Sequence, residues 1–219
     1  MRDGTRELLL SAAKRQFAEK GFYGASIAQV AGELGLTKQA LLYHFKRKED
    51  LYAEVLQDIS GRLLRFVHST LRSSDMPERQ LEDILLGLYF SSREHPLDTQ
   101  ILVRELLDNQ SRAEQVKDWY LLPFLGEMVA IVRRIRGFEN VPASTAFCMV
   151  YQLLGSIEYF AISTATLTRM YGKEAYERFR DDFPLELRSQ VRRLIDSHRP
   201  AASEVTGTRG SGGRNTDHD

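Results

Sequence analysis

The ten residues LTKQALLYHF, Leu36 to Phe45, decide how this chain is read. Placed at about 100° per residue from Thr37, Leu41 and Phe45 fall together on one side of a helix, while Gln39, Tyr43 and Lys46 gather nearly opposite. One face is made for a core, the other for something polar outside it. Gly35 and Leu36 precede it as a tight turn, and Thr37 suits the N-cap of the helix. Upstream, Ser26-Ile-Ala-Gln29 matches a capping box opening a short helix that ends near Leu34. A first helix is expected from about Thr5 to Lys20, with Leu9, Ala13 and Phe17 on one face and Gly21 as its stop. Helix, glycine turn, helix is the helix-turn-helix arrangement.

Downstream, almost every segment keeps the helical period and none shows the alternation of a half-buried strand, so the fold class is all-α. A long helix runs from about Lys48 to Arg72. Another carries Leu81, Ile84, Leu85 and Leu88 and ends before Pro96, and a short one covers Asp98 to Asp108. A capping box at Ser111 to Glu114 opens a helix through Trp119 and Tyr120 to about Arg136, kinked at Pro123. Pro142 starts a low-charge helix reaching about Met170, and a last apolar face comprises Leu187, Val191, Leu194 and Ile195. The expected domains are 1–47, a helix-turn-helix; 48–199, a larger helical domain; and 200–219, a glycine-rich tail expected to be disordered.

Charge gives little overall, since Lys plus Arg and Asp plus Glu are 30 each, but residues 1–50 hold nine basic against six acidic side chains. Cys148 is the single cysteine, so no intrachain disulfide can form, and a reducing cytoplasmic setting fits. The charged N-terminus does not resemble a secretory signal. The run from Asn140 to Thr168 carries one charge, Glu158, yet contains Pro142, Gln152 and many hydroxyl residues, so a membrane span is not expected. The five histidines show no metal-ligand spacing, Cys148 has no neighbouring partner, and no glycine-rich phosphate loop occurs. Neither an enzyme nor a metal or cofactor is expected.

The run from Arg6 to Leu56 resembles the DNA-binding domain of the tetracycline-repressor (TetR) family of bacterial regulators. The likeness rests on the Ala-Ala and Phe-x-x-x-Gly spacing of the first helix, then SIAQVA, LGLTKQALLYHF and KRKEDL in order. Leu42 departs from the family, which often has an aromatic there. The remaining three quarters match only loosely, as a variable helical ligand-binding and dimerisation domain.

Residue chemistry agrees with that likeness. Gln39 can pair bidentately with adenine in the major groove, Lys38 can reach guanine or phosphate, and Ala40 allows close approach or meets a thymine methyl. Ser26 and Thr37, at helix starts, can add hydroxyl and backbone donors to phosphates, and Lys46 and Arg47 supply general attraction. The resemblance adds Tyr43 and His44 at the backbone or a base edge, and Lys48 at a phosphate. It also implies an effector pocket, for which Phe66, Tyr89, Arg104, Trp119, Phe124, Gln152, Glu158 and Tyr159 are the candidates. Glu158 in a nearly uncharged helix must be exposed, paired or protonated; in a cavity it would select a cationic or donor-bearing ligand. Gly155, Ser156, Ala161 and Ser163, with the face from Leu187 to Ile195, are expected to build a four-helix homodimer interface. The expectation is a homodimeric regulator that binds a palindromic operator and is released by a small molecule, repression being inherited from the family. The rivals are an activator, a regulator answering to a protein partner instead of a small molecule, and a helical enzyme.

Overall fold

The computed structural model describes residues 2–108 and 119–197, with side chains from residue 4. Ten helices and no strand occur among the described residues: α1 (Arg2–Gly24), α2 (Ile27–Glu33), α3 (Lys38–His44), α4 (Lys48–Ser73), α5 (Pro77–Glu94), α6 (Pro96–Asp108), α7 (Leu122–Arg134), α8 (Ala143–Ile162), α9 (Thr164–Tyr171) and α10 (Lys173–Ser197). This is the expected all-α architecture, with a helix-turn-helix at the N-terminal end and a larger helical body. The capping box at Ser111 and the tail from residue 200 lie outside the described residues.

Several local expectations need correction. Ser26 is the N-cap of α2 but makes no side-chain capping bond. Gln29 instead accepts from Lys20 Nζ at 3.2 Å, so the two halves of the capping box are not engaged with each other. Pro123 does not kink a helix; it stands in the first turn of α7, where a missing N–H costs nothing, and Trp119 and Tyr120 precede that helix. The low-charge helix does not run on to Met170. It stops at Ile162, where Ser163 Oγ donates to Tyr159 O at 2.6 Å and Thr164 Oγ1 to Ala161 O at 3.0 Å, and α9 begins at once. The face of Leu187, Val191 and Ile195 is turned inward: all three belong to the core of the single chain, so it is not free to build an interface between chains.

Two apolar clusters organise the molecule. The first joins Leu9, Ala13 and Phe17 of α1, Val30 of α2, and Leu41 and Phe45 to Leu51, Tyr52, Val55 and Ile59 of α4 and to Ile101 and Leu102 of α6. It does not stop between residues 47 and 48, because the first half of α4 closes the head's core. The second cluster packs α5, α7, α8 and α10 around Leu85, Tyr89, Met128, Val150 and Val191. Tyr89 lies within it, stacked on Phe183, and its hydroxyl donates to Arg180 O at 2.6 Å, tying α5 to α10. The single helix α4 contributes to both clusters and so carries the head on the body.

Candidate nucleic-acid interface and ligand cavity

The turn between α2 and α3 needs a left-handed residue, and Gly35 supplies it at φ 66°. Leu36 N–H donates to Ala31 O at 2.9 Å, which folds the turn back on α2. Thr37 Oγ1 accepts from Ala40 N–H at 3.2 Å, fixing the first turn of α3 as the cap expectation required. Beneath α3, Leu41 and Phe45 are buried at 0% and 3% exposure. Above it, Lys38, Gln39 and Tyr43 are exposed, Tyr43 at 72%, and Lys46 lies just past the helix end, also exposed. His44 is partly covered and meets the Tyr43 ring edge-on at 5.5 Å; Ala40 and Ser26 are also partly covered.

The surrounding charges are mostly committed. Arg6 is ion-paired with Glu54, Arg15 with Glu33 at 3.0 Å, and Arg47 with Asp50 at 3.0 Å. Gln16 and Arg15 hold the Glu33 carboxyl below its ordinary range. Lys38 and Lys46 have no ion-pair partner among the described residues, so their charge is available outward. Lys48 stands differently from the expectation that it serves a phosphate. Its Nζ donates to Ala25 O at 2.9 Å and Tyr23 O at 3.5 Å, and lies 4.6 Å from the Phe22 ring centroid. This cation therefore closes the junction between α1 and α2, and partial burial lowers its pKa.

In the body, a cavity of about 380 Å³ opens between α4, α5, α6, α7 and α8. Of the eight side chains expected there, it brings together Phe66, Phe124 and Glu158. The other five lie elsewhere. Tyr89 lines a second hollow of about 460 Å³ with Phe160, Tyr176 and Arg180. Arg104 reaches the head, donating from Nε to Ala18 O and from Nη2 to Glu19 O, each at 2.7 Å. Trp119 sits before α7, and Gln152 and Tyr159 face outward on α8. All five are aromatic or polar residues in segments of helical spacing, and spacing alone does not say to which side of a helix each points.

Sequence reasoning missed Arg62, Gly87, Ser91 and Asp98, which also line the cavity. Gly87 had a signal, an isolated glycine in an apolar helix. A Cβ there would collide with the Phe66 ring, so the glycine makes room for that side chain. Arg62 had half a signal, its i,i+4 spacing from Asp58. Arg62 pairs with both Asp58 and Asp98, and Lys14 of α1 reaches Asp58 at 2.8 Å and Asp98 at 3.3 Å. Four charges thereby bridge α1, α4 and α6 at the cavity's edge. Nearby, Tyr52 Oη donates to Glu105 at 2.8 Å, a second buried tie between α4 and α6.

One described helix, α8, is long and apolar enough by composition to cross a membrane, a test that core helices also pass. Its inner side packs Ala146, Val150, Leu153 and Ile157 into the body's core. Its outer side exposes Phe147, Tyr151, Tyr159 and Ile162, the first two stacked at 5.3 Å.

Residues 9–55 match the model of bacterial regulatory proteins of the tetR family. The chain is similar to the transcriptional activator FasR of Mycolicibacterium smegmatis, 33% identical over 43% of this chain and 42% of that one. It is also similar to the transcriptional repressor NicS of Pseudomonas putida, 27% identical over 72% of this chain and 76% of that one. The match therefore spans less than half the length of the first of these curated relatives. Among solved structures, the transcriptional regulator FadR from Bacillus subtilis, in complex with stearoyl-CoA, superposes with a TM-score of 0.67 at 15% identity, over 88% of this chain and 98% of that one. That likeness is one of fold. These are families of regulators rather than enzymes.

Proposed function

We propose that the chain is a transcription regulator of the TetR family that binds a palindromic DNA operator as a homodimer and is released by a small molecule, a reading supported by the match of its head and by its relatives. The observation that carries this reading is the division of α3: Leu41 and Phe45 lock it into the head while Lys38, Gln39 and Tyr43 stand free in solvent. A helix so presented can enter a major groove and offer an amide to adenine and an ammonium to guanine. Lys46, Thr37 and the partly covered Ser26, Ala40 and His44 border that face and are assigned to the same contact. Lys48 contributes by holding the α1–α2 junction in shape and offers phosphate its remaining donor.

Homodimerisation is supported by the outer stripe of α8, where Phe147, Tyr151, Tyr159 and Ile162 leave an apolar strip that a second copy would cover. Two-fold-related recognition helices then read two half-sites. Action on DNA places the protein in the cytoplasm. The cavity supports effector control because its walls and the head share α4 and α6. Ile59, Arg62 and Phe66 of α4 and Asp98 and Leu102 of α6 face the hollow, while the Tyr52 ring of α4 packs on Phe17 and Phe22 of the head and Arg104 of α6 donates to Ala18 O. A ligand that fits best when these helices are shifted lowers DNA affinity by its differential binding. The relatives include an activator and a repressor; of the two signs, repression is the one proposed.

The test is selection of bound sequences from a random duplex pool, with sedimentation of the chain alone and with DNA. The expected result is a two-fold symmetric site whose half-sites lie about one helical turn, or a multiple of it, apart. An asymmetric site bound by one chain would sink the homodimer, and no enrichment would sink DNA reading by α3.

A further inference from the structure

We propose that the cavity takes an amphipathic amine, whose apolar part lies among Phe66, Leu88, Phe124, Leu154 and Ile157 and whose protonated nitrogen meets Glu158. This rests on the reading of the cavity as an effector site and names the ligand's class. Glu158 lines the hollow beside Ile157, and among the described residues no donor or cation is paired with it. The cationic groups of the same lining do not fill that role. Arg62, on α4, is engaged with Asp58 and Asp98, and Arg65 and His95 are solvent-exposed. Glu94 and Asp98 add two further carboxyls to the lining, so the hollow as a whole does not favour an anion.

A carboxyl against an apolar wall has two ways to lower its cost, to take up a proton or to gain a cation. Burial has pushed the Glu158 carboxyl up to about 7, which favours the first course. An ammonium supplies the second, offering up to three N–H donors and a compensating charge. An acyl group or a carboxylate offers acceptors alone, and an alcohol offers one donor and no charge. Amine binding therefore draws the proton off Glu158, so it tightens as pH rises through about 7 and releases a proton. Arg62, Arg65 and His95 oppose this and Glu94 and Asp98 favour it.

The test is calorimetric titration of the full chain with decylamine, decanol and decanoate, which share a tail and differ in the head. At about pH 8 decylamine remains protonated. It is expected to bind at least about tenfold more tightly than either companion. At about pH 6, where the free Glu158 carboxyl still holds its proton, proton release should be visible as an apparent enthalpy that changes with the buffer's own ionisation enthalpy. Glu158→Gln should reduce amine affinity to that of decanol while the helical content of the chain stays the same. Leu154→Trp should exclude all three by filling the hollow. Equal or tighter binding of decanoate by the unaltered chain overturns the inference, as does an amine preference that survives Glu158→Gln. If decanol and decanoate bind in preference to the amine and Leu154→Trp still excludes them, the effector cavity stands and its assigned class falls. If none of the three binds, both fall.

Discussion

The head and the body are built from the same material, amphipathic helices around an apolar cluster, but they leave different things unpaired. In the head, Arg6, Arg15, Arg47 and Lys48 are tied to carboxylates or carbonyls, while Lys38 of α3 and Lys46 just beyond it are exposed cations without an ion-pair partner among the described residues. In the body, Tyr89, Gln80 and Arg134 have partners across the helices, whereas Glu158, in the cavity wall, has none among the described residues. Those cations of the head point outward and suit the polyanion of fixed geometry proposed for it. Glu158 lines the hollow and suits the small molecule proposed to be enclosed there. At these two places the sign of the free charge says what kind of partner each would take.

The comparison breaks most readily at Leu41. Leu41→Ala removes a fully buried anchor of α3 and should cost about 2–5 kcal/mol. Denaturant titration followed by operator binding should show a loosened head that no longer reads DNA, over a body that still binds ligand. If ligand binding disappears with it, head and body are not separable as described. Lys48→Ala comes next. A role at the α1–α2 junction predicts a loss of about 1.5–3 kcal/mol, the range for hydrogen bonds from a charged group. A role at phosphate alone predicts weaker binding to every sequence with unaltered thermal stability, and melting curves separate the two.

Gln39→Ala should flatten base preference at one position per half-site, at about 1–3 kcal/mol for a bidentate contact, with no change in melting. Repeating the sequence selection checks it, and an unchanged consensus would remove Gln39 from base reading. The remaining effect is expected in the body and is read in stability alone. Because the folded-state pKa of Glu158 is raised from 4.5 to about 7, folding favours its protonated form. Relative to Glu158→Gln, the unaltered chain should therefore be most stable below pH 4.5, lose stability as pH rises, and reach its floor above about 7. Parallel melting curves of the two chains across that window would mean that the carboxyl is not desolvated.

The head was legible because its residues answer to local rules. Leu41 and Phe45 share a side by helical spacing, Gly35 must adopt positive φ, and Thr37 caps α3. The failures there were side-chain choices between equivalent partners, as when Gln29 took Lys20 instead of Ser26. The body was legible as helices but not as a site. Helical period marks Phe66, Tyr89, Trp119 and Tyr159 alike as apolar, and only the packing of α5, α8 and α10 decides which line a hollow, which fill the core and which face outward. The dimer expectation misread Leu187 to Ile195 for the same reason, since an apolar face does not announce whether its cover comes from its own chain. Glu158 was the exception: one carboxyl in an otherwise uncharged helix stands out against any background.

The bridge of Lys14, Asp58, Arg62 and Asp98 bears on how the proposed operator binding would respond to ionic strength. Lys14 and Asp98 keep only 15% and 16% of their side-chain surface in water, so mobile ions screen them far less than the open face of α3. Raising potassium chloride should strip the duplex from the protein well before it loosens the head from the body. The slope of affinity against salt then counts the phosphates that the protein grips, with little added from a rearrangement of its own.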